Sequence, residues 1–188
     1  GSGGLVGAAG NTGVFNYVKS IAGINFNGAA RRGSGTANTD GSSSGAGQSA
    51  WDFALTGTGD IIGVDGLSWG AGHGVAEAGS QTSTAAVLDD DEHYTGFINY
   101  SAGSFTVGYQ ESHISKGGAG GTNETAEAWG IAVAVNENLS VSYGEREVEY
   151  EKASAAHVTE EGEGLAVAYT MGSMKIAGNM NEVSDNDG

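Results

Sequence analysis

Apolar and polar residues alternate with a period of two along most of the chain, a signature of strands rather than helices. Tyr94, Gly96, Ile98 and Tyr100 fall on one side of a strand, and Phe105, Val107 and Tyr109 resume that side after a short break. Trp129, Ile131, Val133 and Val135 repeat the pattern and hand it to Leu139, Val141 and Tyr143. The opposite side carries Thr95, Asn99, Thr106, Gln110, Ser140, Ser142 and Arg146. Helices are disfavoured independently. The 35 Gly are spread over 188 residues, and each costs a helix roughly 1 kcal/mol relative to Ala.

One local pattern recurs: a small turn residue, then apolar, polar or small, apolar, small. It occurs at Gly23-Ile24-Asn25-Phe26-Asn27, Gly66-Leu67-Ser68-Trp69-Gly70, Ser104-Phe105-Thr106-Val107-Gly108, Asn138-Leu139-Ser140-Val141-Ser142 and Ser173-Met174-Lys175-Ile176-Ala177. The first apolar residues lie at 24, 67, 105, 139 and 174, giving spacings of 43, 38, 34 and 35. A repeat of this length is a repeated supersecondary unit, here two strands, one tight turn and one longer loop. Reading outward from these anchors predicts about ten strands, near 12–18, 23–32, 48–57, 66–77, 92–101, 104–114, 125–135, 139–151, 160–170 and 174–183. Short turns are expected near Ser20–Ala22, Ala102–Gly103, Asn136–Asn138 and Met171–Gly172, a somewhat longer one near 58–65, and long polar loops at 33–47, 78–91, 115–124 and 152–159. Short connections at one end and long ones at the other describe an all-β, antiparallel up-and-down meander, one domain over residues 1–188.

Alternation alone fits a soluble sandwich as well as a membrane barrel. Two further patterns favour the barrel. Tyr100, Phe105 and Tyr169 sit beside short turns, whereas Tyr94, Tyr109 and Trp129 lie toward the long loops, as in the two aromatic girdles of a barrel. The apolar face is also rich in Gly and Ala, which would leave a sandwich core thin. Composition narrows the field again. With no Cys, disulfide frameworks, thiolate zinc sites and Cys nucleophiles drop out; with no Pro, Pro-rich linkers do. A net charge of −16 with seven Lys+Arg excludes a nucleic-acid binder, which needs clustered cations. No run of about 18 apolar residues forms a transmembrane helix, but a spanning strand needs only about 9–11 alternating residues. The start, GSGGLVGAAG, has neither the basic end nor the apolar centre of a secretory signal, and reads as mature or as internal to something longer.

The stretches YTGFINYSAGSFTVGYQES, AWGIAVAVNENLSVSYGERE and GLAVAYTMGSMKIAGNMNEVSDNDG resemble general porins of alphaproteobacteria, with NEN and MGS as their short periplasmic turns. The resemblance is clearest from about residue 92 to the end. It implies a sixteen-stranded barrel, usually a homotrimer, in contact with outer-membrane lipid and lipopolysaccharide and passing small hydrophilic solutes by diffusion. The chain departs from that pattern by supplying about ten strands and by ending in Ser184-Asp185-Asn186-Asp187-Gly188 rather than an aromatic-terminated strand. A partial chain of a longer barrel is therefore expected.

Arg31, Arg146 and Lys175 share the small-polar side and are the candidate pore-lining charges. The run Asp89, Asp90, Asp91 and Glu92, with Glu77 across the same loop, has no basic neighbour in sequence and is expected as a solvated rim. If the loop folds inward, as the resemblance allows, the run would be a constriction. Glu145, Glu147, Glu149 and Glu151 alternate in phase with the apolar side, so that strand is expected to leave the lipid near residue 144 and present carboxylates beside headgroups. Divalent cations such as calcium could bridge them to lipopolysaccharide; no other cofactor is expected. Asp185-Asn186-Asp187-Gly188 opens like a calcium loop but lacks its distal ligands. His73, His93, His113 and His157 show no metal-ligand spacing, and no nucleophile elbow, phosphate loop or HExxH is present. The expected function is a passive, weakly cation-favouring pore of a bacterial outer membrane, and not an enzyme. The competing readings are a secreted or surface-attached Gly-rich structural protein and a barrel enzyme of the same membrane.

Overall fold

The computed structural model describes residues 14–32, 49–77, 89–117, 122–152 and 156–185. They form one antiparallel sheet of ten strands in which every strand pairs with its sequence neighbours. In chain order these are β1 (Val14–Ile21), β2 (Ile24–Arg31), β3 (Ala50–Thr58), β4 (Leu67–Ala76), β5 (Asp91–Ala102), β6 (Phe105–Ser115), β7 (Thr122–Ala134), β8 (Leu139–Lys152), β9 (Val158–Met171) and β10 (Met174–Asp185). The expected meander is present. Its bounds shift most at β1, which runs on to Ile21 rather than 18, and at β7, which starts at Thr122 rather than 125. The connection expected over 152–159 is shorter, because β8 reaches Lys152 and β9 begins at Val158. The expected loops at 33–47 and 78–91, and the centre of 115–124, fall largely outside the described residues, as do Asn186, Asp187 and Gly188 of the acidic end.

Turn chemistry explains where the hairpins close. Ala22 and Gly23 both take positive φ (50° and 83°), the pair that a type I′ turn requires. Gly103 (φ 57°) and Gly172 (φ 60°) lead Gly-Ser pairs with positive φ at the first central position only, the type II′ pattern. At the β7–β8 turn the Asn136 side-chain oxygen accepts from the backbone N–H groups of Asn138 (2.9 Å) and Leu139 (3.0 Å), closing an Asx turn.

Register gives the sheet its tilt. Tyr17, Gly28, Phe53, His73, Tyr94, His113, Thr125, Glu149 and Thr159 stand directly opposite one another in one continuous row. From that row the short-turn end is 4 residues away on β1 (Tyr17 to Ile21), 6 on β4 (His73 to Leu67), 8 on β5 (Tyr94 to Ala102), 10 on β8 (Glu149 to Leu139) and 12 on β9 (Thr159 to Met171). The end therefore climbs by two residues per hairpin, or one per strand. At a rise of about 3.3 Å per residue and a strand spacing of about 4.8 Å, this is a tilt of about 35°, that of a barrel wall.

The two faces are unequal. Along β9 the residues of the small-polar face are half-buried, while those of the apolar face are exposed. Neighbours on a concave surface shield one another, so the small-polar face is concave and the apolar face convex. Ile98 (49%), Leu165 (42%) and Met180 (77%) are among many exposed large apolar residues. The buried hydrophobic residues are only Ala50, Ala54, Val75 and Val148 among the described residues. On the concave side Gly108, Gly130, Gly144 and Gly164 form a row across β6 to β9. A Cβ on Gly144 would lie 3.0 Å from the Trp129 carbonyl oxygen, so the wall is tightest there.

Candidate functional site

The concave face carries charges of both signs. Arg31, Arg146 and Lys175 all lie on it, as the alternation predicted. Arg31 is seven residues beyond Ile24 and Arg146 seven beyond Leu139, the first residues after their short turns. The two guanidinium groups thus stand at one height on β2 and β8, whereas Lys175 adjoins Met174 at the short-turn mouth. Arg146 Nη1 lies 3.9 Å from Glu160 Oε1, with both side chains partly exposed. Such a pair is worth at most about 1 kcal/mol. The acids Asp52, Asp91, Glu124 and Glu160 share this face with Arg31, Arg146, Lys152 and Lys175. Phe97 is an aromatic that the alternation placed here without its being singled out. It lies over Gly70 and walls a depression of about 550 Å³ with Asn99, Thr106 and Gln110.

The acidic run at the long-loop end divides between the faces. Asp89 and Asp90 precede β5 and are exposed, Asp91 begins the strand on the concave side, and Glu92 points to the convex side. The expectation that this run lacks a basic partner is corrected for Asp91. Its carboxylate lies 3.6 Å from Lys116 Nζ and accepts from the Gly117 N–H at 3.0 Å. These residues are 25 and 26 positions away and meet only because β6 returns alongside β5. Asp89 is tied to the same end, its N–H donating to the Gly117 carbonyl at 3.0 Å. The run thus sits at the long-loop end of the sheet.

The convex face takes most of the negative charge. Glu111, Glu127, Glu147 and Glu161 are directly opposed in one row across β6 to β9, and Glu145, Glu163 and Glu182 in the next across β8 to β10. No Lys or Arg of β5 to β10 shares this side. Directly opposed like charges destabilise a sheet, so this arrangement is a cost that the ladder must offset. Below it the aromatic tips turn upward. The single Tyr143 hydroxyl proton is shared between two carboxylates, with Oη 2.6 Å from Glu145 and 2.7 Å from Glu163, and Trp129 Nε1 donates to Glu145 at 3.1 Å. Tyr109 Oη donates to Glu111 at 3.2 Å, and Tyr94 Oη to Glu92. Rings on the apolar band with polar tips in the carboxylates mark a boundary between an apolar and a wet medium.

All six expected girdle residues, Tyr94, Tyr100, Phe105, Tyr109, Trp129 and Tyr169, lie on the convex face. Trp51, Phe53 and His73 extend the upper level onto β3 and β4, with His73 stacked on Tyr94 at 4.4 Å. The spacing of Trp51 and Phe53 carried that signal; His73 is legible only from register. Register also gathers Glu149, Glu151 and His157, whose donor atoms all lie within 4.8 Å of one another. Among the described residues it is the one group of three or more His and carboxylate side chains whose ligand atoms come this close.

No protein-family model matches the chain, and no curated protein sequence does. Its fold matches solved structures of OmpT, an outer membrane protein of Vibrio cholerae. The in-vitro folded form aligns with a TM-score of 0.63 at 13% identity, over 92% of this chain and 53% of that one. The fold is an outer-membrane β-barrel wall. The trimer form of the same protein gives a TM-score of 0.64 at 14% identity over 97% of this chain and 57% of that one. A loop-deletion mutant gives 0.64 at 12%, over 93% and 58%. The chain thus spans somewhat more than half the length of the barrels it matches.

Proposed function

We propose that the chain forms part of the wall of a passive diffusion pore in a bacterial outer membrane, open to ions and small hydrophilic solutes. The observation that supports this reading is the inversion of the sheet, with large apolar residues on its exposed convex face and small polar residues on its concave one. A soluble protein would turn the apolar face inward, whereas a barrel in lipid turns it outward around a wet lumen. Among the described residues β1 and β10 do not pair with each other, and unpaired edges are not tolerated in lipid. In this reading further strands close the wall. At 35° tilt each strand takes about 6 Å of circumference, so Arg31 and Arg146, six strands apart, are separated by about 35 Å along it. In a sixteen-stranded barrel, about 95 Å around, that places them across the lumen from each other. Selection is steric and electrostatic. Because the concave face carries charges of both signs, the weak cation preference rests on the rim acids Asp89 and Asp90 at the long-loop end rather than on the total of −16.

The trimeric state of one matched barrel supports a homotrimer, with lipid and lipopolysaccharide against the convex face. We assign no catalysis. The enzyme reading would use His113, whose Nδ1 lies 2.9 Å from Thr125 Oγ1, and a lipid hydrolysis abolished by His113→Ala would establish it. Planar-bilayer recording on the purified full-length protein tests the pore. Stepwise ohmic conductance is expected, and purified, folded protein that never conducts would refute the proposal.

A further inference from the structure

The tip of the β8–β9 hairpin holds side chains that the pore reading does not use. Glu149 and Glu151, two residues apart, project from the convex face of β8, and His157 immediately precedes β9. The His157 ring nitrogen Nδ1 lies 3.0 Å from Glu149 Oε1, and one donor atom from each of the three lies within 4.8 Å of the others. The set is one imidazole and two carboxylates. Calcium and magnesium favour all-oxygen shells, whereas an imidazole with carboxylates suits zinc and its transition-metal neighbours. Donors around tetrahedral zinc stand about 3.4 Å apart at bond lengths of about 2.1 Å. Closing from 4.8 Å therefore needs only rotamer adjustment of exposed side chains. A fourth position would stay with water.

The surroundings favour a cation. Directly beneath the trio are the opposed pair Glu147 and Glu161 and then Glu145 and Glu163. A surface of one sign raises the local concentration of counter-ions. The other nearby contact is neutral: Asn123 Nδ2 donates to Glu151 at 3.5 Å.

We propose that Glu149, Glu151 and His157 bind a divalent transition-metal ion of the zinc class at the long-loop end of this hairpin, outside the pore. The test is isothermal titration of Zn²⁺ into the tag-free, chelator-treated full chain, folded in detergent micelles, with Co²⁺ absorption reporting nitrogen and oxygen ligation. One saturable site is expected, weakened at least tenfold by His157→Ala and by Glu149→Gln. Glu163→Gln and Glu182→Gln, which dilute the surrounding charge without touching the trio, should weaken it less than threefold. Circular dichroism checks that each variant keeps its strands. Equal loss in both sets of variants, full competition by Ca²⁺, or absence of saturable Zn²⁺ binding in the folded chain would each overturn the assignment. Because the readout is metal binding and not conductance, its failure leaves the pore reading standing, and the reverse also holds.

Discussion

Glu147 is one of the convex carboxylates with a like charge on both sides, facing Glu127 on one strand and Glu161 on the other. Each directly opposed like-charge pair costs a sheet about 0.2–1 kcal/mol. Glu147→Gln removes two such pairs and keeps the shape of the side chain. It should therefore stabilise the folded wall by about 0.4–2 kcal/mol at low ionic strength. Glu182→Gln removes only the pair with Glu163 and should give about half as much. The screening length falls from about 30 Å at 0.01 M salt to about 3 Å at 1 M, so both gains should largely vanish in 1 M NaCl. The assay is urea unfolding in detergent with chelator present, comparing midpoints at the two salt concentrations. An unchanged or lowered midpoint for Glu147→Gln at low salt, or a gain that persists in 1 M NaCl, would refute the argument that these carboxylates repel one another in the folded state.

Three other outcomes follow from the geometry. Tyr143→Phe removes the donor shared by Glu145 and Glu163 and should lower the urea midpoint, more at low salt than at high. Gly66 combines φ +77° with a Cβ position 1.9 Å from the Ser101 carbonyl oxygen, so Gly66→Ala should cost about 2–4 kcal/mol in the same unfolding assay. Arg146→Glu puts a second acid beside Glu160 on the concave face; in the pore reading it should raise the cation-to-anion permeability ratio severalfold in bilayers, while Lys19→Glu on the convex face leaves that ratio unchanged.

Much of the candidate site was legible because a strand's alternation fixes which residues share a face. Arg31, Arg146, Lys175 and the six girdle aromatics needed nothing more. Partners across strands were not legible. Lys116 meets Asp91, and His157 meets Glu149 and Glu151, through strand pairing that no local spacing encodes. The four histidines, read singly, showed no ligand pattern for the same reason.

The sequence by itself determined the strands, the short turns, the repeat of hairpins and the division into an apolar and a small-polar face. Each is a local matter of side-chain period and backbone freedom, as at Gly103 and Gly172. Only the tertiary structure decided which face is convex, how far each strand is staggered against the next, and which residues therefore form rows. The glycines 108, 130, 144 and 164 and the glutamates 111, 127, 147 and 161 are scattered in sequence, and register alone aligns them. A one-residue slip would send each to the other face, so the stagger that tilts the wall also settles where its charge lies.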